Sequence, residues 1–168
     1  RAGAGCDLGK ANGAAWEESV RRLDEAIAQG RHHVFETTLG GRTIPVMIRA
    51  ATQSHDVMMW FCGLSSPELH LARVKARVAV GGHDIPETKI RERYPMALEN
   101  LIVLMPHLAN LQVYDNSVEA APNDPIPDPV LVLEMKTGKL VWSVDIQSLQ
   151  RTPEWSKPLL ESSLLTND

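Results

Sequence analysis

The sequence has 168 residues and a formal net charge of −4, a length that fits one domain. Hydrophobic residues make up 43% of it, an ordinary share for a globular chain. The acidic excess lies in residues 118–168, and no overall basic field exists to hold a nucleic-acid backbone. The longest apolar run, residues 57–64, is far too short to span a bilayer. Neither nucleic acid nor membrane is therefore expected as a partner.

In chain order, Trp16, Val20, Leu23 and Ile27 recur at helical spacing, which predicts a helix over 11–29 stopped by Gly30. Val34 and Phe35 predict a strand over 33–39, broken by Gly40-Gly41. Residues 43–52 read as a helix. Residues 56–63 read as a strand buried on both faces, which would bury the free thiol of Cys62. Cys6 and Cys62 make no disulfide framework, and a reducing, cytoplasmic setting is expected. Ser66-Pro67 opens a helix, with Ser as cap and Pro at the first turn, that runs to about Val80 and the Gly81-Gly82 stop. Asp84 to Glu87 reads as a capping box for the next helix, which Pro95 is expected to kink or split. A short strand over 111–114 follows, then a Pro/Asp linker over 123–129, then a hairpin of 130–135 and 140–144 across Thr137-Gly138. The tail beyond Gln147 shows little periodicity and reads as loosely ordered. Strand and helix alternate from 11 to 114, which points to an α/β domain with a mostly parallel sheet. Ligands gather at the carboxyl ends of such strands, here 36–41, 63–66 and 115–117.

Several motifs carry candidate chemistry. Gly63-Leu64-Ser65-Ser66-Pro67 resembles a hydrolase nucleophile elbow, but Pro stands where the elbow needs a small Gly, and capping by Ser66 explains the segment. Residues 4–11 carry Gly9-Lys10 of a phosphate-binding loop but Ala at its first Gly and at its Mg²⁺-binding hydroxyl, with no strand ahead, and read as a coincidence. The six histidines form no metal-spaced set. Glu36-Thr37-Thr38 stands at a strand's carboxyl end. Its carboxylate could accept a hydroxyl proton or hold Mg²⁺ through water, and it equally fits a carboxylate bonded to loop amides. His70, Arg73 and Arg77 share one helix stripe, and Arg91 and Arg93 follow beyond the Gly81-Gly82-His83 turn. Arginines around a glycine hinge suit a lid over phosphate, or a solvated face balanced by Glu68, Glu87 and Glu92.

Taken together, the stretches Phe35-Glu36-Thr37-Thr38-Leu39, Ser66-Pro67-Glu68-Leu69, Gly81-Gly82-His83-Asp84-Ile85-Pro86, Ile90-Arg91-Glu92-Arg93-Tyr94 and Val113-Tyr114-Asp115-Asn116-Ser117 resemble the zeta-toxin and UDP-N-acetylglucosamine kinase family over residues 11–117. The resemblance implies an adenylate-kinase-like P-loop kinase core over 1–117, with its lid at about 66–100 and the linker, hairpin and tail of 118–168 added to it. It implies transfer of a phosphoryl group from ATP (or GTP), with Mg²⁺, to a hydroxyl of a small metabolite such as a nucleotide sugar, and it allows an antitoxin protein as partner. Glu36 would be the base or the water-mediated Mg²⁺ ligand, and Arg77 and Arg91 would act on the transferred phosphate. Thr37, Thr38, Arg73, His83 and Arg93 would meet substrate, and Asn116 the nucleotide. Two departures stand out: the phosphate-binding loop and its strand are absent, and Pro95-Met96 replaces a basic residue after Tyr94. This chain alone is therefore expected to be inactive, either as a fragment of such a kinase or as a loop-less module that binds a ligand or partner.

Overall fold

The computed structural model describes residues 8–120, 125–142 and 145–165. Helix α1 (Leu8–Ala28) ends at Gly30, whose φ of 63° is the left-handed conformation that closes a helix. Leu23 and Ala26 of this helix are buried, while Trp16 is exposed. Residues 31–38 form no helix and join no strand of the described sheet. The strand expected over 33–39 is therefore absent. Helix α2 (Thr43–Ala51) leads to strand β1 (Met58–Gly63).

Helix α3 (Pro67–Ala79) starts as its sequence dictates: Ser66 Oγ accepts from the Leu69 N–H at 3.2 Å, and Pro67 fills the first turn. Helix α4 (Glu87–Leu104) departs from expectation twice. Its N-cap is Pro86, with no side-chain cap, because Asp84 turns its carboxylate to the Ile85 N–H instead. It also runs unbroken through Pro95, which lies on an exposed face where water can satisfy the Arg91 carbonyl that Pro95 cannot bond. A short 3₁₀ turn (Met105–His107) leads into β2 (Asn110–Asp115).

Strands β3 (Val130–Lys136) and β4 (Lys139–Trp142) form the expected hairpin. Thr137 and Gly138, with φ of 47° and 75°, make the tight turn that a two-residue hairpin loop requires. Val144 lies outside the described residues. The hairpin is not appended to the core: β3 pairs antiparallel with β2, and the sheet order is β1-β2-β3-β4. Only β1 and β2 are parallel, so the sheet is mixed rather than mostly parallel. The tail is ordered as well. Helix α5 (Ile146–Gln150), a 3₁₀ turn (Glu154–Ser156) and α6 (Lys157–Leu165) bury Trp155, Leu159 and Leu160. The residue pattern hid this because its apolar anchors are split between short elements.

One face of the sheet carries the core. Leu101 and Leu104 of α4, Leu159 of α6, Leu111 and Val113 of β2, and Leu133 and Met135 of β3 are all within 1% of full burial. Each such side chain contributes roughly 1.5–3 kcal/mol relative to exposure. The opposite face is open at β1, where Met58 and Trp60 are exposed. Trp60 donates from Nε1 to Gln112 Oε1 at 2.8 Å, and the Tyr114 hydroxyl donates to the same oxygen at 3.2 Å. β1 is thus an edge strand exposed on alternate residues, not a strand buried on both faces, and Cys62 is exposed on it.

Candidate functional site

Helix α4 fixes the loop that follows residues 31–38. Asn100 donates from Nδ2 to the Leu39 carbonyl at 2.7 Å and to the Gly41 carbonyl at 2.9 Å. Gly40 lies directly against Arg93; a Cβ built there would stand 2.5 Å from the Arg93 Cβ. One helix turn of backbone contact thus brings Arg93 beside Glu36, Thr37 and Thr38. Leu39 takes a φ of 54°, unusual for a side chain of its size, and its N–H donates to Thr37 Oγ1 at 3.1 Å. The next residue of α4, Tyr94, donates its hydroxyl to the Leu64 carbonyl at 2.9 Å, which ties the same helix to the carboxyl end of β1. Burial raises the Tyr94 pKa, with Asp115 and Glu68 adding to the effect.

A cleft of about 980 Å³ opens between residues 31–39 and β1. Of the residues singled out from sequence, Glu36, Thr37, Thr38, Arg73, Arg93 and Asn116 line it together. A smaller cavity of about 530 Å³ lies where Trp16, Arg22 and Arg42 also meet Glu36, Thr37, Thr38 and Arg93. Glu36 has no hydrogen bond or ion pair among the described residues, and it is exposed. It stands as an available carboxylate rather than one bonded to loop amides.

The other candidates lie elsewhere. Arg91 is the hub of an ion-pair cluster: its Nη1 bonds Glu68 of α3 and its Nε bonds Glu87, both at 2.7 Å. The Arg91 guanidinium holds the Glu68 carboxyl below its ordinary range. Arg77 donates to the His83 carbonyl at 2.7 Å, and the Gly82 N–H returns a bond to the Arg77 carbonyl at 2.9 Å. Gly82 has no room for a side chain there, since a Cβ would stand 2.4 Å from Arg77 Cγ. Arg77, His83 and Arg91 therefore hold the α3–α4 junction and do not line the cleft.

Two further residues complete the site: His70, read from sequence on the same stripe as Arg73 and Arg77, and Trp155, which escaped that reading. His70 lines the cleft beside Arg73; its pKa is lowered by burial first and then by Arg77 and Arg73. Trp155 seals the carboxyl ends of β1 and β2: its ring sits over Gly63, and its Nε1 donates to Asp115 Oδ1 at 3.1 Å. Asp115 also accepts from the Ser117 hydroxyl, and the Asn116 N–H donates to the Gly63 carbonyl at 2.9 Å. The spacing of His70 from Arg73 was a usable signal. Trp155, forty residues from its partner, left none.

Among the described residues no cluster of three His, Cys, Asp or Glu side chains is placed to hold a metal ion, and no helix is long and apolar enough to cross a membrane. No family model matches the chain, and no solved structure matches it. It is similar to an uncharacterized protein of Haemophilus influenzae, with 37% identity over 81 residues, which are 48% of this chain and 58% of the relative. The chain thus spans less than two thirds of that relative's length.

Proposed function

We propose that this chain is the acceptor-and-lid part of a phosphotransferase of zeta-toxin type, which moves the γ-phosphoryl group of ATP (or GTP) to a hydroxyl of a small metabolite. The observation that carries the reading is the meeting of Glu36, Thr37, Thr38, Arg73, Arg93 and Asn116 in one cleft. Phosphoryl transfer asks for positioning and charge neutralisation more than for covalent chemistry. Glu36 takes the acceptor's hydroxyl proton, the acceptor oxygen bonds to the γ-phosphorus, and the β–γ bridging bond breaks to leave the nucleoside diphosphate. Arg73 and Arg93 offset the charge on the moving group. A single carboxylate suits Mg²⁺ held mainly by nucleotide phosphates and water, with Glu36 as an indirect ligand.

The nucleotide cradle is the missing part. The turn after β1, Leu64-Ser65-Ser66, is consumed by the cap of α3. The 168-residue chain should therefore show neither tight ATP binding in calorimetry nor ATP hydrolysis. Micromolar affinity with turnover would contradict the reading. In a chain extended to include a phosphate-binding loop, Glu36→Gln should lower turnover by about 10²–10⁴-fold and leave nucleotide affinity nearly unchanged. Turnover within about threefold of the parent would remove Glu36 from the chemistry.

A further inference from the structure

The register of the sheet sets four side chains in one row, one from each strand. Trp60 pairs with Gln112, Gln112 with Glu134, and Glu134 with Trp142. Side chains alternate between the two faces along a strand. The chain neighbours of Gln112, Leu111 and Val113, pack in the core, so the row points away from it. Of the four residues only Trp60 also borders the cleft.

The row is aromatic at both ends and polar in the middle. Trp60 and Trp142 are both exposed. Three strand spacings separate their backbones, on the order of 14 Å, so no single ring of a ligand reaches both. Between them, Gln112 Nε2 donates to Glu134 Oε1 at 3.4 Å, and Lys136 Nζ stands 3.5 Å from the same oxygen. The Gln112 carbonyl oxygen already accepts from Trp60 Nε1 and from the Tyr114 hydroxyl. These bonds hold the row in shape before any ligand arrives. The second carboxylate oxygen of Glu134 takes no bond among the described residues.

The middle of the row decides what fits. A dry protein surface would take water from the Gln112 amide and the Glu134 carboxylate without replacing its bonds, at a cost of about 1–3 kcal/mol for each stranded group. A single strand of nucleic acid could stack bases on both indoles, but its phosphates would then cross the Glu134 carboxylate, in a chain of net charge −4. An uncharged sugar chain meets both demands. The C–H face of a pyranose stacks on the electron-rich face of an indole, and its hydroxyls donate to a carboxylate and bond a carboxamide. Its rings recur along the chain, so two of them can lie on indoles that one ring cannot bridge. We infer that this sheet face binds an uncharged oligosaccharide laid across the strands, with rings on Trp60 and Trp142 and the hydroxyls between them on Glu134 and Gln112. Neither Glu36 nor Arg93 belongs to the row, so the site stands whether or not the phosphotransfer reading does.

The test is affinity electrophoresis of the chain in gels cast with hydroxyethylcellulose, arabinoxylan, galactomannan or soluble starch, against a gel with no polymer. At least one polymer should retard the chain, and the hexasaccharide of its backbone should release it where the disaccharide does not. Trp60→Ala and Trp142→Ala should each weaken the retardation roughly tenfold or more, as for other buried-on-binding tryptophans. Both indoles are exposed, so each variant should keep the parent's urea midpoint. Should Trp142→Ala fail to fold, Trp142→Phe, which retains a stacking face, should keep most of the binding while Trp142→Gln loses it. Retardation by none of the polymers would overturn the site. So would binding that survives loss of the ring at 142, or a disaccharide that competes as well as the hexasaccharide. Retention on immobilised poly(U) that no sugar displaces would assign the row to nucleic acid and overturn it too.

Discussion

A Cβ at Gly40 would meet the Arg93 backbone, and a Cβ at Gly63 would stand 2.2 Å from the Trp155 ring. Both contacts are with groups that cannot swing aside cheaply, so Gly40→Ala and Gly63→Ala should each destabilise the fold by about 1–3 kcal/mol, the range for overpacking, read from urea unfolding. His70 sets a pH dependence with a definite sign. Burial, Arg77 and Arg73 hold its pKa below the ordinary value, so the unfolded chain takes up this proton first as pH falls. Its contribution is whole above the ordinary histidine pKa and is lost as pH drops through the folded value. His70→Gln should flatten the slope of stability against pH in that window. An NMR titration placing His70 at or above the ordinary value would refute the assignment.

Among the elements, α4 organises the site. Asn100→Asp keeps the shape of the side chain but cannot donate to the Leu39 and Gly41 carbonyls. It should cost about 1–3 kcal/mol, the penalty for a stranded buried acceptor, and speed hydrogen exchange at residues 39–41. The Arg91 bridges behave differently, because all three side chains are exposed and surface pairs are screened. Glu68→Gln should leave the unfolding midpoint unchanged. These elements also show what the residue pattern could convey. Ser66-Pro67 specified the start of α3 because capping is local chemistry, and Thr137-Gly138 specified a turn for the same reason. Residues 33–39 had strand propensity yet form none, since a ladder needs a neighbour that propensity cannot supply. Cys62 was misread likewise: an apolar run does not tell an edge from a centre. Arg73 and Arg93 were legible with Arg77 and Arg91 as one arginine set; the first two line the cleft with Glu36, whereas Arg77 turned to the His83 carbonyl and Arg91 to Glu68 of α3 and Glu87 of its own helix.

At the scale of the whole molecule, an open β1 edge and an exposed face with Met58 and Trp60 leave apolar surface in water. Domains have only about 5–15 kcal/mol of stability in total, so the chain alone should be marginal or self-associating. Sedimentation should show mass rising with concentration. A monomer that unfolds cooperatively above roughly 60 °C would contradict this and favour a self-sufficient module. The tail's anchoring through Trp155 has a spectroscopic consequence. Of the four tryptophans, Trp16, Trp60 and Trp142 are 52%, 65% and 42% exposed and Trp155 only 8%. Iodide should therefore quench most of the emission and leave a blue-shifted remainder from a single indole. That residual light is a gauge of whether residues 154–156 sit on the strand ends, and Gly63→Ala should extinguish its protection before the rest of the sheet unfolds.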